Sequence, residues 1–159
     1  MPLTPDGEVF VRLYLLAIVI VLVVGPLISS AQEVITPKPG SALRKAILNA
    51  VREPVQNELG MEVQFKVNEL RTDGEWAFLN AVPLTKDYKR IDYVHTKYAK
   101  EVREGLFDDW LCALVRKQPD QSWTVIALSI GATDVPFVDW PRRFDVPRTV
   151  VIPTAGPIK

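Results

Sequence analysis

The sequence predicts an α+β domain, with an N-terminal helix packed on a four-stranded antiparallel sheet and a signal peptide or anchor helix ahead of it. Three observations predict this. Aliphatic residues recur every four positions from Leu43 to Leu59, and the period changes to two after Gly60. Turn signals at Asp73-Gly74 and at Gln118-Pro119-Asp120-Gln121 then divide the later strands into two hairpins. A length of 159 residues suits one domain, and 48% hydrophobic residues argue for a packed core rather than disorder. Lys plus Arg and Asp plus Glu each number 19, so no net charge draws the chain to nucleic acid. One cysteine and one histidine exclude an internal disulfide framework and any metal site built from several of either.

The leader comes first. No residue from Leu13 through Gln32 is charged, and Leu13–Val24 is apolar apart from the Tyr14 hydroxyl. Arg12 precedes this run, Gly25-Pro26 ends it, and Ser29 and Ala31 form a small-x-small pair. That order reads as a secretory signal peptide cleaved after Ala31. The alternative is an uncleaved anchor, since about 20 apolar residues cross a bilayer. Asp6 and Glu8 ill suit an export start and favour the anchor, whereas Pro26 and Ser29-Ser30 shorten its apolar part. Both readings export the rest of the chain, to a bacterial periplasm or to the periplasmic face of the inner membrane. Membrane contact is expected only through residues 9–31, if they are retained.

Residues 32–40 read as a stiff Pro-rich linker, 41–150 as a single α+β domain and 151–159 as a flexible tail. Ser41 is placed to cap a helix and Gly60 to stop it, while Pro54 must bend that helix or split it. Arg44, Lys45, Arg52 and Glu53 lie off the aliphatic stripe and are expected to face water. Met61, Val63, Phe65 and Val67 alternate with polar residues as a first strand. Glu75–Val82 follows as the second, ended by Pro83. Phe107–Lys117 reads as the third, with Trp110, Cys112 and Leu114 opposite Leu111, Ala113 and Val115, and Ser122–Ile130 as the fourth.

The order helix–strand–strand–strand–strand over residues 41–130 resembles the cystatin-like group of folds, which includes the nuclear-transport-factor-like domains. The Gln-x-Val-x-Gly hairpin of the inhibitory cystatins is missing, so protease inhibition does not follow from the resemblance. Locally, Trp76-Ala77-Phe78, Glu104–Trp110, Gly131–Val135 and Trp140-Pro141 resemble small exported bacterial proteins of unassigned function. That resemblance implies an envelope location and one domain. It implies no reaction and no catalytic residue.

Residues with chemistry are few. His95 has Asp92, Tyr93 and Tyr98 nearby, but a general base needs a positioned partner that spacing along a connection does not establish. Lys86–Arg103 holds six basic residues (Lys86, Lys89, Arg90, Lys97, Lys100, Arg103) against Asp87, Asp92 and Glu101, together with three tyrosines. A solvated connection explains such a run, and so does contact with an anionic glycan, lipid headgroup or protein. Asp108 and Asp109, as strand neighbours, should point to opposite faces. Cys112, with no His or Lys beside it, reads as a buried filler. Trp140 and Phe144, in the Pro-rich stretch after the sheet, are expected to be exposed or partner-facing.

The expectation is therefore an exported envelope module that binds a partner and runs no reaction. Its contact residues would be Tyr88, Arg90, Tyr93, His95, Tyr98 and Trp140, without a catalytic group, metal or cofactor. The alternative is a small hydrolase or isomerase with a pocket between helix and sheet, into which His95 or Asp92 would have to enter.

Overall fold

The first helix, α1, runs from Ala42 to Leu59 as one piece. The Ser41 Oγ accepts from the Arg44 N–H at 3.3 Å, and Gly60, left-handed at φ 68°, bonds back to the Gln56 carbonyl. Pro54 lies inside without breaking it. These elements belong to residues 33–153, which a computed structural model describes. The expectations about the leader (residues 1–31) and about residues 154–159 of the tail lie outside them. No helix of the described residues is long and apolar enough to cross a membrane.

Four strands follow: β1 (Val63–Thr72), β2 (Trp76–Thr85), β3 (Leu111–Lys117) and β4 (Trp123–Ile130). They form an antiparallel meander in the order β1-β2-β3-β4. The β1–β2 turn is closed by its own side chains. Asp73 Oδ1 accepts from the Glu75 and Trp76 N–H groups at 2.9 and 2.7 Å. Thr72 Oγ1 donates to the Trp76 carbonyl at 2.6 Å.

Strand ends differ from expectation. Pro83 continues β2 opposite Phe65 instead of ending it. The pairing of β2 with β3 stops at Ala81–Leu111, so Pro83 lies where β2 has a neighbour on one side only, and a missing N–H is tolerated there. The third strand starts at Leu111, not Phe107. Asp108 N donates to the Gly131 carbonyl and Trp110 N to the Asp108 carbonyl, folding 108–110 out of the ladder. The Trp110 indole N–H reaches the Ala132 carbonyl at 2.7 Å. Gly131 has φ 77°, and the Phe107 ring occupies the space a Cβ would need.

Both faces of the sheet are covered. On one, Ile47, Val51, Val55 and Leu59 of α1 meet Leu70, Ala77, Leu79, Leu111, Ala113 and Val115. On the other, Trp76, Phe78, Cys112 and Leu114 meet Trp140, Val146, Val150 and Val151. This second cover comes from two short helices, α3 (Trp140–Phe144) and α4 (Arg148–Val151). Edge-to-face rings tie it down, with Phe78 and Phe137 centroids 4.9 Å apart and Phe78 and Trp140 6.3 Å apart. Trp140 is only 4% exposed, which overturns the outward-facing position expected of it. The reason is nonlocal: Phe78, on the far hairpin, presents its ring to that stretch.

The segment read as a linker is also part of the domain. Ile35 exchanges both backbone bonds with Thr72 (2.8 and 2.9 Å), Val34 packs on the second core and Pro37 is buried. Arg44 and Arg52 do not simply face water, because their guanidinium groups reach the Pro37 and Val63 carbonyls at 3.1 and 3.3 Å.

Candidate functional site

The connection from β2 to β3 carries most of the residues singled out by sequence. It holds a 3-10 turn (Tyr93–His95) and a short helix, α2 (Ala99–Arg103). Two carboxylates from outside the basic run anchor it. Asp109 accepts from the Tyr93 hydroxyl at 2.9 Å and from Arg90 Nε at 3.2 Å. Glu58, at the end of α1, accepts from the Tyr98 hydroxyl at 3.3 Å and pairs with Lys97. Phe107 lies against both tyrosine rings, with centroids 4.5 and 5.2 Å away.

These contacts sort the tyrosines. Tyr93 is buried in the α1-side core, and burial together with the Asp109 carboxylate pushes its phenol well above the ordinary tyrosine range. Tyr98 is half-buried and raised in the same direction, mainly by burial and secondarily by Glu101. Tyr88 is the opposite case, 69% exposed. Its backbone is held at φ 60°, a left-handed conformation that costs a bulky side chain about 1–2 kcal/mol. The turn that holds it is closed by Thr85, whose carbonyl accepts from the Tyr88 N–H at 2.9 Å and whose Oγ1 accepts from the Lys89 N–H at 3.1 Å. Asp87 and Lys89 flank it and Lys86 stands one position further back, all three exposed.

His95 is on the outside. Its side chain is 81% exposed, and its ring nitrogen is 3.5 Å from Asp92, which is also exposed. Asp92 spends its other oxygen capping the 3-10 turn at the Val94 N–H. The α1–sheet interface, where a pocket enzyme would need its cavity, is filled by Val51, Val55, Leu79 and Ala113, each fully buried. Among the described residues no group of three or more potential metal ligands is gathered. Structure thus brings Arg90 and Tyr93 together on Asp109, places Tyr98 beside them through Phe107, and leaves Tyr88 and His95 free. Trp140 lies apart from all of them, under the opposite face.

Sequence reading missed a second surface. At the hairpin end of the sheet, Gly74, Glu75, Arg116, Lys117, Gln118, Pro119 and Ile126 line an open hollow of about 720 Å³. Arg116 pairs with Glu75 at 3.1 Å and covers the Trp76 ring at 4.8 Å. Its signal in the sequence is faint, because it depends on which cross-strand residues become neighbours. No protein-family model matches this chain, and no curated protein and no solved structure is similar enough to it to count as a match.

Proposed function

We propose that the chain is an exported binding or accessory module of the cell envelope, and that it meets a partner bearing anionic groups at the Tyr88 turn. One observation carries this reading: an exposed aromatic ring held in a strained left-handed backbone on a turn that also exposes Lys86, Asp87 and Lys89, two cations against one carboxylate. Strain of that kind persists where the surroundings enforce it, and it costs stability that a plain loop would keep. Lys100 and Arg103, exposed on α2, add charge to the same connection, and no carboxylate among the described residues pairs with these four cations. The anchored Tyr93 and Tyr98 act as the scaffold. Export rests on the apolar leader and its small-x-small site. The order of elements supports a place beside the cystatin-like folds.

The test separates strain from function. Binding of the full chain to heparin, and to vesicles with and without anionic lipid, is measured as salt is raised. Binding to at least one anionic probe should weaken with salt, and Lys86→Glu/Lys89→Glu should weaken it by about tenfold or more. Tyr88→Gly should also weaken binding while leaving stability unchanged or higher by up to about 1 kcal/mol. If no probe binds, or if Tyr88→Gly binds as the parent does, the reading is lost.

A further inference from the structure

The C-terminal cover does not extend over the whole of its face of the sheet. It lies on Trp76, Phe78, Cys112 and Leu114, and of β4 only Ala127 belongs to that core. Two hollows remain beside it. One is the hollow of about 720 Å³ at the hairpin end. The other, about 430 Å³, lies between β4 and α3, where Ser129 faces Trp140, Arg143 and Phe144. Ile126 lines both, so the two form one groove. It is the extra residue of the β4 bulge between Val125 and Ala127, and it is 37% exposed, within reach of a ligand.

The charge of this groove is one-sided. A chain with 19 basic and 19 acidic residues sets Arg116, Lys117 and Arg143 in the lining against Glu75 alone, and Glu75 is already paired with Arg116. No carboxylate among the described residues pairs with Lys117 or Arg143. Both guanidinium groups rest on rings. Arg116 is 4.8 Å from the Trp76 centroid, and Arg143 is 5.1 Å from that of Phe144. A guanidinium stacked on a ring keeps its plane, and with it the direction of its N–H edge. Among the described residues, Arg116 spends only its Nη2, which donates to Glu75 Oε1 at 3.1 Å.

We propose that this groove binds an extended peptide with acidic residues on either side of an apolar one. Its carboxylates meet the two ring-stacked guanidinium groups, and its apolar side chain lies between them on Ile126. An open channel that continues through a shared residue suits an extended chain better than a compact small molecule. A sulfated glycan would use the cations but leave Ile126 and Pro119 bare, and a planar bilayer does not enter a groove. The adjoining hollow, about 320 Å³, adds Asp73 and Asp145 to its lining. Acidic residues are turned away from that branch, which leaves the path from Arg116 to Arg143. The inference stands apart from the Tyr88 turn, which follows the other end of β2.

Fluorescence anisotropy tests this with the full chain in mild detergent and a labelled pentapeptide. The peptide has glutamate at both ends, leucine in the middle and serine between them. Side chains two apart share a face of an extended peptide, so the three specific residues can all meet the groove. Saturable binding that weakens as salt is raised is expected. Arg116→Gln should weaken it by about tenfold or more, and Arg116→Lys should not restore it, because an ammonium has neither the fork nor the plane. Arg143→Gln should weaken it by about fivefold or more. Exchanging the leucine for alanine should cost about fourfold, and Ile126→Ser should then make no further difference. Circular dichroism of each variant should match the parent. The proposal is overturned if the parent binds no peptide, if lysine in place of glutamate binds as well, or if Arg116→Gln binds undiminished. It also falls if a sulfated hexasaccharide binds through Arg116 and Arg143 more tightly than the peptide. Lys86→Glu/Lys89→Glu should bind the peptide as the parent does, so a failure here and a failure at the Tyr88 turn are read separately.

Discussion

The two faces of one sheet are covered by opposite kinds of structure. Under α1, the cover is a single regular helix whose aliphatic residues return every turn. On the other face it is residues from Phe137 onward, in two helices of five and four residues joined by irregular backbone. The helix cover gains its order locally, from repeated hydrogen bonds and two caps. The C-terminal cover gains almost all of its order from the sheet, through Phe78, Trp76 and Leu114. Burial is nonetheless equal: Phe78 and Leu79, neighbours on β2 pointing to opposite faces, are 1% and 0% exposed. A cover does not have to be regular to close a core.

That equality can be broken by substitution. Phe78→Ala and Leu79→Ala should cost about 3–5 and 2–5 kcal/mol respectively, because each removes a buried side chain from an enclosed site. Chemical denaturation with matched midpoints checks this. A Phe78→Ala loss under about 1 kcal/mol would mean the C-terminal cover is a loose strap rather than half of the core.

A smaller effect sharpens the comparison. Arg71 lies buried beneath the C-terminal cover, its Nη2 donating to the Val151 carbonyl at 2.6 Å and its guanidinium 5.4 Å from the Phe78 ring centroid. Burial lowers its pKa, and Glu69 partly opposes that change. Arg71→Met leaves the Val151 carbonyl unpaired and should cost about 1.5–3 kcal/mol. Amide exchange at Val150 and Ile152 should speed up, with α1 unchanged.

The smallest expected effect is a pH dependence to which both faces contribute. Burial pushes the Cys112 thiol, on the C-terminal side, up to about 12, and raises the Tyr93 phenol on the helix side. Each is a neutral acid whose folded pKa exceeds its unfolded value. The folded state therefore holds the proton longer, and the stabilisation is present below the unfolded pKa and lost as pH rises above it. Denaturation midpoints should be flat to about pH 8.5 and fall beyond it. Cys112→Ala should soften the early part of the fall and Tyr93→Phe the part beyond about pH 10.

How much of this was legible in the sequence follows from where each signal lies. The helix could be read because Leu43 to Leu59, Ser41 and Gly60 all act within a few residues of one another. Strand centres were equally plain. Strand ends were not: Pro83 and Phe107–Trp110 depend on where a neighbouring strand stops, and no local pattern records that. At the candidate site, the sequence singled out the residues of one connection but could not rank the burial of its tyrosines. Tyr93 is drawn in by Asp109, 16 positions along the chain, and Tyr98 by Glu58, 40 positions away. Trp140 was misplaced for the same reason, since its ring partner Phe78 belongs to another hairpin. The groove between β4 and α3 appeared only once strand order was known.

The chain carries one sulfhydryl, enclosed by the sheet and the residues that close over it. Oxidants reach the thiolate far more readily than the thiol, and this group stays protonated through neutral pH. A lone exposed cysteine in an oxidising compartment would couple to whatever other thiol it met. Packed in the core with Trp76, Phe78, Leu114 and Trp140, this one leaves the folded molecule chemically quiet while the unfolded molecule is not. The completed fold is then what spares it from mispairing.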